Sequence, residues 1–477
     1  MKAAFSDYLN TIAPAVKELI GLLGDHYDYV SVLSADSVGF TAMISQRAKS
    51  VSNSTMFTER GNVVRVQKNG LYSEYAFNEF DTGKTAELAA KIRSTLDAQL
   101  ELLAETGSEV YDTAALPDEP AQVFAEMETG SMPEDTDLQK LVEELSAISD
   151  ETVKRCEIAI DCMVRCQSTH VSKMFLTKNR DMRQSYVYSE GMAAPVVMKN
   201  GKTEMSHTSV SGRRGPEIFA ELREKVDEAL KASEEVLDAG PVEPGEYEII
   251  TSPEVSGLIA HEAFGHGVEM DMFVKDRALG KEYIGKRVGS DLVTMHEGAL
   301  CAEEVSSYAF DDEGTPAGDT IEIQNGILKT GVCDALSALR LGTKPTGNGK
   351  RQSFENKVYT RMTNTIFDSG TDTLDDMIAS VKYGYLLAGM RSGMEDPKHW
   401  GIQCIIERGY EIRDGKLTGK VVAPIVMTGY VPHLLGSITM ASTDREVFGS
   451  GACGKGYKEW VKVSDGGPYL KAKARLG

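Results

Sequence analysis

The feature that most restricts this chain is a spacing. In SPEVSGLIAHEAFGHGVEMD, residues 252–271, His261 and His266 stand five positions apart, with Glu262 directly after the first histidine. Ser252 is a good N-cap, Pro253 suits the first helical position, and Glu254 complements the positive end of the helix dipole. A helix is therefore expected to begin there and to reach His261 after about two turns. In an ideal α-helix, residues four apart differ by roughly 40° around the axis, and residues five apart by roughly 140°. Two imidazoles separated by that angle cannot both reach one ion within the roughly 2.0–2.1 Å of a zinc–nitrogen bond. The pair can serve one ion only where the helix is locally widened, as a π-type turn does. Gly265 and Gly267 flank the second histidine and ease loosening or ending the helix. The spacing predicts a π-bulge or helix break between Ala263 and Gly267.

A catalytic zinc site uses three protein ligands and a water. Candidates for the third ligand are His296, His433, Glu269, Asp271 and the seven cysteines. Cys156, Cys162 and Cys166 fall on an expected helix. Cys301, Cys333 and Cys404 occupy apolar settings where buried thiols are common. Cys453 differs: glycines bracket it in FGSGACGKGYKEW, so the backbone can approach another group closely, and nearby Lys455 would help hold a thiolate. Glu269 and Asp271 read either as groups that orient the ligands or as exposed carboxylates past a helix end.

A length of 477 residues suits two to four domains. The net charge of -21 offers no broad basic face, which argues against nucleic-acid or anionic-membrane partners. No run approaches the roughly 18 apolar residues of a membrane span, and the opening segment lacks the continuous apolar region of a signal peptide. Seven widely spaced cysteines fit reduced thiols better than a disulfide framework, so a cytoplasmic setting is expected.

The pattern along the chain indicates an α+β protein. Residues 1–104 read as an N-terminal α+β domain of helix, strands and helix, and 105–135 as an acidic linker or surface loop. Residues 136–240 read as a middle helix–strand–helix domain opening with a long helix from about Asp137 to Cys166. Residues 241–477 form a large β-rich C-terminal unit carrying the histidine helix. The two KNG tripeptides, at 68–70 and 199–201, are hairpin-turn signals.

Three stretches together resemble the TldD/PmbA (TldD/TldE) family of metallopeptidases: SPEVSGLIAHEAFGHGVEMD, RMTNTIFDSGTDTLDDMIASVKYG and the glycine-rich GSGACGKG. The resemblance is strongest from about residue 245 onward; the N-terminal third matches in layout more than in residues. It implies His261, His266 and Cys453 as the ligands of one zinc ion per chain and Glu262 as the general base. The PmbA/TldE branch lacks the histidine motif, so this chain resembles the catalytic, TldD-type subunit. Also implied are short or unfolded peptide substrates and a partner that is a TldE/PmbA-like chain or a second copy. Peptide deformylases use a similar ligand set, which leaves a zinc amidohydrolase of another substrate class as an alternative. A non-catalytic assembly subunit with structural histidines is the alternative from a different class.

Overall fold

The computed structural model describes residues 1–105, 113–457 and 459–477. Period-two alternation builds the first sheet. On the strand Tyr29–Ile44, Val30 and Val32 share one side with Val64, Val66, Met174 and Leu176, while Leu33 faces the other with Val63, Phe175 and Met182. The helices Asp7–Gly24 and Thr85–Glu105 cover the first side through Leu9, Leu19, Ile92 and Leu96. Farther along, the helices Leu138–Arg155 and Leu222–Asp238 pack through Leu145, Ile148, Leu222 and Val226 against Phe40, Ala42 and Val164. The strand order is Leu71–Phe77, Arg60–Lys68, Tyr29–Ile44, Ala159–Thr177, Arg180–Lys199, Ala121–Glu126. Both KNG turns are hairpins, with Asn69 and Gly70 at φ 50° and 82° and Asn200 and Gly201 at 53° and 79°.

Three expectations change. The segments 1–104 and 136–240 share this sheet, because residues 31–44 pair antiparallel with residues 164–177. The helix expected over Asp137–Cys166 ends at Arg155, and Ala159–Thr177 is a strand. There Cys162, Val164 and Cys166 are buried at alternate positions while Arg165 is exposed, and pairing with Tyr29–Ile44 overrides local helix preference. Within the segment expected as a linker, Ala121–Glu126 is a strand parallel to residues 180–185; residues 106–112 lie outside the described residues.

A second sheet takes its strands from Gly245 onward, in the order Gly245–Thr251, Tyr383–Asp396, Gly401–Arg413, Ile425–Tyr430, Ser464–Leu476, Asn364–Phe367, Met295–Glu297, Thr320–Gln324, Ile327–Leu328. The chain is thus α+β, with a large β-rich C-terminal part. Its core gathers Ile249, Leu258, Phe264, Trp400, Ile406 and Leu470. Gly245–Thr251 pairs with both Tyr383–Asp396 and Ser464–Leu476, so the histidine helix that follows it lies over those two strands. The first sheet is tied to loops of the C-terminal part by ion pairs: Arg65 with Glu313, Glu74 with Arg351, and Lys173 with Asp312. Among the described residues no helix is long and apolar enough to cross a membrane.

A fragment ending at residue 135 would lose the Ala159–Thr177 partner of Tyr29–Ile44 and leave that edge open. It is expected to give a collapsed, poorly dispersed amide NMR spectrum. A sharp, dispersed spectrum would show that 1–135 folds independently.

Candidate metal centre

The helix Pro253–Ala260 starts as its sequence dictates, with Ser252 Oγ accepting from the Val255 N–H at 3.4 Å. It then widens: His261–Gly265 is a π-turn, in which the His266 N–H donates to His261 O across five residues. Gly265 keeps a helical backbone at φ -58°, so loosening is not what calls for glycine there. A Cβ on Gly265 would lie 2.2 Å from Met362 Sδ, and close packing is the reason. The wide turn brings both imidazoles to one face, with ring centroids 5.0 Å apart.

Cys453 joins them from a β-hairpin rather than a loose glycine loop. Ala452–Lys455 pairs with Glu459–Lys462, placing Cys453 opposite Val461. Arg361, 1% exposed, fixes this hairpin by donating to Cys453 O at 2.5 Å and Glu459 O at 3.0 Å. Ligand atoms of His261, His266 and Cys453 all lie within 4.8 Å of one another. Bonds of about 2.1 Å to nitrogen and 2.3 Å to sulfur put tetrahedral ligand atoms about 3.6 Å apart, and His266 Nε2 lies 3.4 Å from Cys453 Sγ. Two imidazoles, a thiol and this spacing fit zinc.

Around the trio the charges are arranged for a thiolate. Burial pushes the Cys453 thiol up, but His266 and His261 outweigh it and hold the pKa well below that of a free thiol. Burial likewise disfavours the His266 imidazolium, yet Cys453 and Glu269 hold it well above the ordinary histidine range. His266 Nδ1 is 3.1 Å from Glu269 Oε2, which leaves Nε2 toward the sulfur. Lys455 does not reach for the thiolate as its position suggested. It donates to Glu269 at 3.0 Å, Asp271 at 2.7 Å and Thr360 O at 3.0 Å. Glu269 is consequently held at about 2, because Lys455 and His266 overcome its burial. Glu269 and Asp271 are buried, not exposed carboxylates past a helix end. On the other side, His261 Nδ1 faces Asp465 Oδ2 at 4.0 Å.

Glu262, 8% exposed, lies against the strand Tyr383–Asp396, where a Cβ on Gly393 would come 2.4 Å from its Cγ. His261, Glu262, His266 and Cys453 open into a cavity of about 870 Å³. Glu395 lines the same cavity, and burial lifts its carboxyl to about 9.

The remaining third-ligand candidates lie elsewhere. His296 meets Asp319 at 2.7 Å and Asp368 at 3.3 Å and clusters with Cys301, apart from the trio. His433 stacks edge-on against Tyr430. Cys162 and Cys166 are buried on a strand rather than a helix, and Cys333 and Cys404 are buried in the interior. Glu395, Asp465 and Arg361 had no motif to announce them; only the pairing of distant strands places them here.

Residues 244–474 match the family model described as the PmbA/TldA metallopeptidase C-terminal domain. A metalloprotease of Methanocaldococcus jannaschii is 33% identical over 249 residues, 52% of this chain and 54% of that protein. A zinc metalloprotease TldD homolog of Saccharolobus solfataricus is 32% identical over 260 residues, 54% of this chain and 55% of that one. The matched regions thus span about half the length of these curated relatives. TldE from Thermococcus kodakarensis shares the fold, with a TM-score of 0.75 and 17% identity over 97% of this chain and 100% of that structure. The part of the sequence that carries the histidine helix and the cysteine hairpin is the part that matches, so residues 244–474 are similar to the C-terminal domain of PmbA/TldA metallopeptidases.

Proposed function

We propose that the chain is a zinc-dependent peptidase of the catalytic, TldD-type branch, holding one zinc ion through His261, His266 and Cys453. The observation that carries this reading is the convergence of those three ligand atoms beside Glu262 at the wall of a large cavity. A zinc ion held by His261, His266 and Cys453 would supply Lewis acidity toward a scissile carbonyl and an attacking water. Glu262 accepts a proton from the attacking water and returns it to the leaving amine. Being adjacent to His261 in the chain, it is oriented by the same π-turn that sets the ligands. Glu269 fixes the ring of His266, and Lys455 keeps Glu269 anionic.

A cavity of about 870 Å³ suits a short or unfolded peptide rather than a folded domain. The likeness to TldE over nearly the whole chain supports a partner of the TldE/PmbA type, with a second copy of this chain as the other possible mate. The seven cysteines are all free, which supports a cytoplasmic setting.

Three variants test this reading against an internally quenched unstructured peptide, with zinc measured by mass spectrometry. Glu262→Gln is expected to retain zinc while hydrolysis falls by about 10²–10⁴-fold; activity within a few-fold of wild type would remove Glu262 as the base. Cys453→Ala and His266→Ala are each expected to lose the metal, whereas His296→Ala keeps it. Gly393→Ala pushes a methyl group into Glu262, so zinc should stay bound while kcat drops about 10²-fold through misplacement of the base. Unchanged kcat in that variant would place the working position of Glu262 away from the strand.

A further inference from the structure

A second constellation of metal-ligating side chains lies away from the trio of His261, His266 and Cys453. Ligand atoms of His296, Cys301 and Asp319 all lie within 4.8 Å of one another. Strand register builds it. His296 stands opposite Ile321 on one neighbouring strand and Ile366 on the other. Asp319 is two residues before Ile321 and Asp368 two after Ile366, so both carboxylates flank the imidazole on its own face of the sheet. Cys301 returns to the same place through the turn at Gly298, where a Cβ would lie 2.0 Å from Gly318 O. His296 Nδ1 is 2.7 Å from Asp319 Oδ1, and Cys301 Sγ is 3.2 Å from that same oxygen. On the far side of the ring, Nε2 faces Asp368 Oδ2 at 3.3 Å, and Arg445 meets Asp368 at 3.5 Å.

A histidine ligand is commonly held in this way, with one nitrogen on the ion and the other ring N–H given to a carboxylate that fixes the ring. Imidazole, thiolate and carboxylate, completed by a water, match zinc. Tetrahedral bonds of about 2.0–2.3 Å set the aspartate oxygen about 3.3 Å from the nitrogen and about 3.5 Å from the sulfur. It stands closer than that to both, and Asp319, with 46% of its side chain exposed, has room to swing outward. The charged groups around Cys301 are carboxylates: burial, Glu297, Asp319 and Glu322 together push its thiol up. A divalent cation relieves that crowding, and its binding releases the thiol proton to solvent. We propose that His296, Cys301 and Asp319 form a second zinc site, with Asp368 positioning the histidine. It is the weaker of the two, because its thiol must be ionised among carboxylates and its aspartate is half exposed. Zinc therefore fills the trio first and leaves this site on gel filtration, so the metal retained by purified protein reports the trio alone.

Cobalt titration of Cys453→Ala protein reads the second site apart from the first, since the trio then has no sulfur. A near-ultraviolet thiolate-to-cobalt absorption band is expected, saturating at one cobalt per chain and bleached when zinc is added. Adding Cys301→Ser to that background should abolish the band. Adding Asp368→Asn instead should weaken cobalt binding about 10–100-fold while the band at saturation is retained, and His296→Ala should weaken it about 100-fold or more. Asp319→Asn, at the exposed side of the site, changes a ligand with little demand on the fold and should weaken binding about tenfold. Melting temperature without metal reports whether each variant is folded, and wild type already holding zinc in the trio takes the same titration should Cys453→Ala not fold. No band in folded protein, a band that survives Cys301→Ser, or an affinity unchanged by both His296→Ala and Asp319→Asn would overturn the assignment. Cobalt that zinc does not displace would remove zinc as the occupant. Peptide hydrolysis enters none of these readouts, so failure of the peptidase reading and failure of the second site are told apart.

Discussion

One hydrogen bond, from the His266 N–H to His261 O, governs the geometry of the centre. With ordinary α-helical bonding the two imidazoles would diverge by roughly 140° and could not share an ion. The wide turn also carries Glu262, so the two histidines and the proposed base are set by one local feature. The surroundings hold this unusual turn in place: Met362 packs where a side chain on Gly265 would be, Glu269 takes the ring of His266, and the helix is pinned over the strands Tyr383–Asp396 and Ser464–Leu476.

Everything else at the centre arrives from far along the chain. The hairpin 452–462 brings the thiol, Arg361 locks the hairpin through its carbonyls, and the final strand brings Asp465 against His261. Without metal the centre is an imidazolium–thiolate set, with His266 well above its ordinary pKa and Cys453 well below. On the proposed zinc reading, the ion would displace protons from the imidazoles rather than have to ionise a thiol. The ion pairs Arg65–Glu313 and Glu74–Arg351 tie the first sheet to loops of the C-terminal part, whose sheet carries most of the site.

The local parts of this arrangement were legible in the sequence because their causes are local. The Ser252-Pro253 helix start, the widened turn forced by the histidine spacing and the two Asn-Gly hairpins each follow from a few adjacent residues. The meeting of Cys453 with the histidines was reachable only by resemblance, since nothing in the glycine-rich segment reveals that its Sγ lies 3.4 Å from His266 Nε2. Long-range pairing was illegible: the run from Ala159 carries enough helix-compatible residues to read as the end of a helix, and its strand character comes from Tyr29–Ile44, more than a hundred residues earlier. Lys455 was assigned to the thiolate by proximity in sequence; on the strand it does share the face of Cys453, but the buried carboxylates of Glu269 and Asp271, invisible in the local sequence, hold its ammonium instead.

The most direct test of the central claim is X-ray absorption at the zinc edge on the purified, zinc-loaded protein. A first shell with one sulfur at roughly 2.3 Å and two imidazole nitrogens at roughly 2.0–2.1 Å is expected. A shell of nitrogen and oxygen alone, or a single imidazole, would contradict the claim that the π-turn places both histidines and the hairpin cysteine on one ion.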